Sequence, residues 1–180
     1  MHSLPHPVQT LDLRVREIRQ LFNSLDPSPF LNKDLDRNCE AFIESWALSL
    51  PHKSRLQLRI QVEQLDCVTE TGELLVEAIH NYYAQKASLV RAQLRQMLRE
   101  GRTSLLIGTA FVSLCLGAAE AASTLLSGSA QAITRESLTI VGWVAMWRPA
   151  EIFLYDWWPL RGKIKVFENL RFARVTVAQA

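Results

Sequence analysis

The chain has 180 residues, 48% hydrophobic and 21% charged, with 20 lysines and arginines against 18 acids for a formal net charge of +2. That length is one or two modules, and so small a net charge argues against nucleic acid as the main partner, which calls for a strongly basic domain. Cys39, Cys67 and Cys115 lie far apart with no CxxC pair, so neither a disulfide framework nor a zinc site is expected, and they read as small buried residues of a reducing compartment.

Residues 1–10 form a polar, proline-containing tail, expected to be mobile. The opening Met1-His-Ser-Leu-Pro-His-Pro lacks the basic flank and apolar stretch of a signal peptide, so the N-terminus is expected in the cytoplasm. Residues 11–100 read as a small cytoplasmic domain. Leu11, Leu13 and Val15 alternate with Asp12, Arg14 and Arg16, the period of a half-buried strand. Asp26-Pro-Ser-Pro-Phe30 breaks regular structure. Asp34 or Asp36 then caps a helix from about Leu35 to Leu50, with Cys39, Phe42, Ile43, Trp46 and Ala47 on one face and Pro51 ending it. A second strand follows, in which Leu56, Leu58, Ile60 and Val62 alternate with Gln57, Arg59, Gln61 and Glu63. Thr69 or Thr71 caps the next helix, with Glu70 and Glu73 at its positive end. No proline interrupts that helix, and Gly101 is its only weak point, so one helix is expected to run from the domain into the apolar part of the chain.

Residues 101–160 hold two apolar segments. Thr103–Ala119 is seventeen residues without a charge, and after Glu120 the uncharged run reaches Thr134. Ser137–Trp158 is the second. A spanning helix needs about 20 mostly apolar residues, so a two-helix transmembrane hairpin is expected. Arg91, Arg95, Arg99 and Arg102 precede it and Arg161, Lys163 and Lys165 follow it, while the connection offers only Arg135, balanced by Glu136. The positive-inside rule then places both termini in the cytoplasm. Residues 161–180 are a cytoplasmic tail in which Arg174–Val177 is a candidate strand returning to the sheet. The fold class is therefore a small α+β domain of two to three strands and two helices, fused to a membrane hairpin. Its modest core leaves strand edges for the C-terminal strand or a second protomer to cover.

Five features of this frame are candidates for function. Arg91, Arg95, Arg99 and Arg102 share one helix face and either hold anionic lipid headgroups or merely set topology. Arg148 would lie about 16 Å into a span starting at Ser137, where a charge is costly and points to function. Glu151 is within i,i+3 reach of it, and Pro149 removes a helix bond to Ala145 and predicts a kink. The alternative lays residues 149–158 along the surface, with Tyr155, Trp157 and Trp158 in the headgroup zone. Glu120 falls about 27 Å beyond Arg102, near the outer interface, as a cation- or proton-binding carboxylate or simply a solvated one. Thr109, Ser113, Gly117 and Ala121 recur every fourth residue and make a small face for close packing on the second span or for self-association.

Catalytic signals are poor. His2, His6, His52 and His80 do not sit at metal-ligand spacing, and no GxSxG elbow, Walker loop or Rossmann glycine pattern occurs. The acids Asp26, Asp34 and Asp36 are explained by caps and turns. No enzyme, cofactor or metal is expected.

With these residues in view, the chain resembles an uncharacterised family of bacterial inner-membrane proteins. The resemblance rests on Leu21-Phe-Asn-Ser-Leu-Asp-Pro-Ser-Pro-Phe30, on Lys33-Asp-Leu-Asp36, and on the string from Gly142 to Leu160, Gly-Trp-Val-Ala-Met-Trp-Arg-Pro-Ala-Glu-Ile-Phe-Leu-Tyr-Asp-Trp-Trp-Pro-Leu. It covers most of residues 11–177 and implies a bacterial inner membrane and two spans, but no activity. The expected role is a non-catalytic, membrane-anchored interaction or scaffold protein, homo-oligomeric, with the lipid bilayer and an unidentified protein as partners. The alternatives are a small channel or transport component lined by Glu120, Arg148 and Glu151, and an enzyme using Asp156 or the Asp26–Asp36 loop.

Overall fold

The computed structural model describes residues 8–51, 54–63, 68–125 and 127–179, with the backbone alone at 68–71. His2, His6, His52 and Cys67 lie outside the described residues, as do the side chains of Thr69, Glu70 and Thr71. The chain divides into two compact units: residues up to Arg91 together with those from Gly162 onward, and Ala92–Arg161.

The first unit is built on three strands, β1 (Val8–Val15), β2 (Arg55–Val62) and β3 (Arg174–Gln179), in that order and all parallel. Parallel neighbours need long crossovers, and helix α1 (Arg37–Ser49) supplies the first. The alternation that predicts the strands also sets their faces. In register, Leu11 lies beside Leu58 and Leu13 beside Ile60, while Leu58 and Ile60 lie beside Val175 and Val177 on the other side. Leu58, Ile60 and Val62 are fully buried, together with Leu75, Ala78, Tyr83 and Leu170 from the covering helices. Burying such side chains stabilises by about 1.5–3 kcal/mol each. The expected returning strand is present as β3. The α+β expectation holds for the kinds of element; the all-parallel order was not foreseen.

Two details of this unit differ from expectation. Residues 8–10, assigned to the tail, continue β1 because Val8, Gln9 and Thr10 pair with Arg55, Leu56 and Gln57. On α1, Asp36 rather than Asp34 is the cap, its carboxylate accepting from the Asn38 and Cys39 amides at 2.9 and 3.3 Å. Ile43 and Ala47 are buried as expected, but Phe42 is 54% exposed. The helix is turned so that Glu40 and Glu44 both reach Lys86.

Helix α2 (Val68–Leu125) passes through Gly101 unbroken. Its stretch Gly72–Leu125 is long and apolar enough to cross a membrane, with a window of mean hydropathy 1.8 of which only 17% is buried. In the second unit this helix is followed by α3 (Ser129–Ala145), α4 (Trp147–Glu151), a wide π-turn (Ile152–Asp156) and the start of α5 (Trp157–Arg171). Gly128, at φ 71°, makes the turn into α3. The second apolar segment is therefore not the single spanning helix expected. It starts earlier, takes in Arg135 and Glu136, and breaks at Met146, because Pro149 has no N–H to give the Ala145 carbonyl.

Small residues bring α2 and α3 together. A Cβ on Gly108 would come within 3.1 Å of both the Ala145 carbonyl oxygen and the Met146 Sδ. One on Gly142 would meet the Cys115 Cβ at 3.3 Å, and one on Gly101 would meet Ile152 Cγ2 at 2.8 Å. Gly101, Gly108 and Cys115 are spaced by seven, the interval that keeps one helix face on its neighbour in a left-handed pair. Cys115 and Ala119 are buried there. Large apolar side chains, among them Leu106, Ile107, Leu114, Ile140 and Val144, point outward and are exposed.

Candidate functional site

The residues singled out around Arg148 do converge. Arg148 Nη1 lies 3.3 Å from Glu151 Oε2 and 3.4 Å from Asp156 Oδ2. Trp147 donates its indole N–H to Glu151 Oε1 at 3.0 Å, so one carboxylate is held from two sides. Pro149 is fully buried, whereas the Arg148 side chain is 66% exposed. Asp156 is the partner that the sequence reading missed. Seven residues of α-helix advance about 700°, just short of two turns. The π-turn inserts one more, so the eighth residue after Arg148 returns to its face.

The aromatic residues divide. Tyr155 and Trp158 are 70% and 65% exposed. Trp157 is half-buried: its indole N–H satisfies the Phe153 carbonyl at 2.8 Å, and its ring lies 4.7 Å from the Arg161 guanidinium carbon. Leu105, Trp143, Met146, Trp147, Pro149 and Phe153 line an open apolar groove.

The other candidates are not brought to this site. Arg91 forms an ion pair with Glu168 of α5, which removes it from the four-arginine stripe as a free cation. Arg95, Arg99 and Arg102 are exposed and carry no ion pair among the described residues. Glu120 is exposed, and only its backbone carbonyl is engaged, accepting from the Ser123 hydroxyl. Thr109, Ser113, Gly117 and Ala121 are all exposed, and a Cβ on Gly117 would meet nothing within 4 Å. The face used between the helices is the heptad of Gly101, Gly108 and Cys115, so the every-fourth stripe is not the packing face toward α3. The seven-residue spacing was readable, but two small stripes compete on one helix.

A second polar cluster lies inside the first unit. Lys86 is paired with Glu40 and Glu44, and its ammonium sits 5.6 Å from the Tyr82 ring centre and 5.3 Å from that of Phe167. Burial, only partly offset by the nearby Lys163 charge, raises the Glu44 pKa. Burial, with some help from Asp36, pushes the Cys39 thiol up to about 11, the opposite of a reactive cysteine. Burial likewise holds the Tyr82 and Tyr83 phenols protonated. His80 Nε2 lies 2.9 Å from the Ala173 carbonyl oxygen and ties α2 to the turn before β3. No group of three His, Cys, Asp or Glu side chains able to hold a metal occurs among the described residues. These contacts hold helices together, and none aligns a nucleophile with a base.

Comparison of the chain with protein-family models, with curated proteins and with solved structures found no match.

Proposed function

We propose that the chain is a non-catalytic scaffold of a bacterial inner membrane, anchored by its helical unit with both termini cytoplasmic, and that it self-associates. The carrying observation is the inverted surface of residues 92–161, where large apolar side chains such as Leu106, Leu114, Ile140 and Trp143 are exposed and small ones are buried. In water such a surface would be a strong liability. In lipid it is the ordinary arrangement, because small residues let helices approach while the tails solvate the rest. In this reading α2 makes one crossing and α3 with the segment after Met146 returns. Arg95, Arg99 and Arg102 lie at the cytoplasmic surface, where each contributes about 1 kcal/mol of attraction to anionic headgroups.

The unused stripe of Thr109, Ser113, Gly117 and Ala121 faces away from α3 and is left for a second copy. A conduction pathway lined by Glu120, Arg148 and Glu151 has less in its favour, since Arg148 is already held by two carboxylates of its own chain. Topology reporters fused at Gly128 and after Ala180 test the anchoring. The expected result is an external reporter at Gly128 and an internal one at the C-terminus, in a protein that resists alkaline extraction. An external C-terminal reporter or release by alkali sinks the two-crossing reading. Light scattering in mild detergent tests the stripe: Gly117→Leu is expected to reduce the mass of a discrete oligomer, and an unchanged mass removes this face from the assembly.

A further inference from the structure

The free edge of β1 is a self-complementary strand, and we propose that it pairs antiparallel with β1 of a second copy, joining two three-stranded sheets into one of six. This deepens the self-association proposed above and shares its premise that the partner is another copy of this chain. It locates a contact in the sheet unit, independent of the helices.

The outward groups of β1 can be assigned from the ladder. Along a strand, successive residues direct their amide and carbonyl to opposite edges. The Val15 carbonyl accepts from the Glu63 amide at the end of β2, so the odd-numbered residues serve β2 throughout the unbroken register from Val8 to Val15. Thr10, Asp12 and Arg14 then present their backbone groups to the other edge, where no backbone partner occurs among the described residues. All three side chains are exposed. An eight-residue edge strand without proline or bulge invites another strand.

Charge selects both partner and register. Asp12 and Arg14 stand two apart on one face with opposite signs. In an antiparallel pair centred on Leu13, Asp12 of each copy lies opposite Arg14 of the other, and Leu11 lies opposite Val15 on the core face. Shifting the centre to Asp12 would oppose two aspartates, and shifting it to Arg14 would oppose two arginines, both unfavourable. The outward-facing backbone groups of even-numbered residues form the hydrogen-bonded pairs in the Leu13-centred register, as the ladder requires. Asp12 already lies 3.6 Å from Arg59 of its own chain, so it would sit between two guanidinium groups. The other free edge, β3, offers Arg174 and no acid, and carries no such code.

The test is made on the full chain in detergent, reading mass by light scattering and amide hydrogen exchange along β1. Arg14→Asp places like charges opposite one another twice, and dimerisation is expected to weaken about tenfold or more. Protection of the Thr10, Asp12 and Arg14 amides should be lost with it. The double variant Asp12→Arg/Arg14→Asp restores opposite charges across the dyad and is expected to recover both readouts. The intrachain Asp12–Arg59 contact is absent from that double variant, so recovery cannot come from it. An unaltered mass and exchange in Arg14→Asp overturns the pairing. A wild-type oligomer with unprotected β1 amides, or with protection at β3 instead, overturns this contact alone. A wild-type monomer overturns self-association altogether.

Discussion

The two units of this chain bury opposite kinds of residue. In the sheet unit Leu58, Ile60, Leu75 and Tyr83 are fully enclosed, and the outer sheet face carries Asp12, Arg14 and Arg59. In the helical unit the enclosed positions are mostly small, Gly101, Gly108, Cys115, Ala119 and Gly142, with Pro149 and Ile152 beside them, while most leucines and the tryptophans Trp143, Trp147 and Trp158 lie outside. Leucine and isoleucine occur in both units, and on the membrane reading proposed above the difference records what surrounds each. Where water is the solvent, burial of area drives folding. Where the surroundings are as apolar as leucine, close contact between backbones does.

The sharpest way to break that comparison is to truncate one leucine in each unit. Leu58→Ala is expected to destabilise the sheet unit by about 2–5 kcal/mol, read from chemical denaturation followed by circular dichroism. Leu114→Ala, on an exposed position of α2, should leave the stability of the detergent-solubilised protein within about 0.5 kcal/mol. Equal losses would mean that the outward leucines of the helical unit are covered by protein.

A smaller effect is expected from adding bulk. Gly108→Leu drives a side chain into the Ala145 carbonyl and Met146 sulfur and should cost about 1–3 kcal/mol. A disulfide trap between cysteines introduced on α2 and α3 reports whether the helices still meet. Gly117→Leu should not affect that trap, since nothing lies near its Cβ.

The smallest effect concerns Asp26, in the turn before α1. Its carboxylate accepts from the Asp34 amide at 2.7 Å and the Ser28 amide at 2.9 Å, and the first of these, then the second, lowers its pKa. A carboxyl whose folded pKa is depressed contributes stability above its unfolded pKa and loses it as pH falls through the folded value. The stability difference between wild type and Asp26→Asn should therefore be steady near neutrality and shrink below about pH 4. A constant difference down to pH 3 would show that the turn does not depend on the charge.

Much of the sheet unit was legible because Leu56, Leu58, Ile60 and Val62 sit at every second position and Asp36 stands where a cap belongs. The continuous α2 followed from the absence of proline. Strand order was not legible, since alternation says which face is buried but not which strand is the neighbour. At Arg148 the i,i+3 partner Glu151 was within reach of simple helical spacing. Asp156 was not, because its approach depends on a turn that departs from 3.6 residues. The small faces show a different limit: Gly101, Gly108 and Cys115 compete with Thr109, Ser113, Gly117 and Ala121, and only the position of α3 decides between them.

The π-turn between Ile152 and Asp156 has one more consequence. It holds a residue that an ordinary α-helix would not need, and seven α-helical steps from Arg148 would end on nearly the same side as the eight present. Deleting Leu154 would thus let the turn tighten while an aspartate still faced the guanidinium. The same deletion within α3 would rotate every following side chain by about 100°. The chain carries a spare residue at this point, and a family of such sequences could gain or lose it without losing the ion pair.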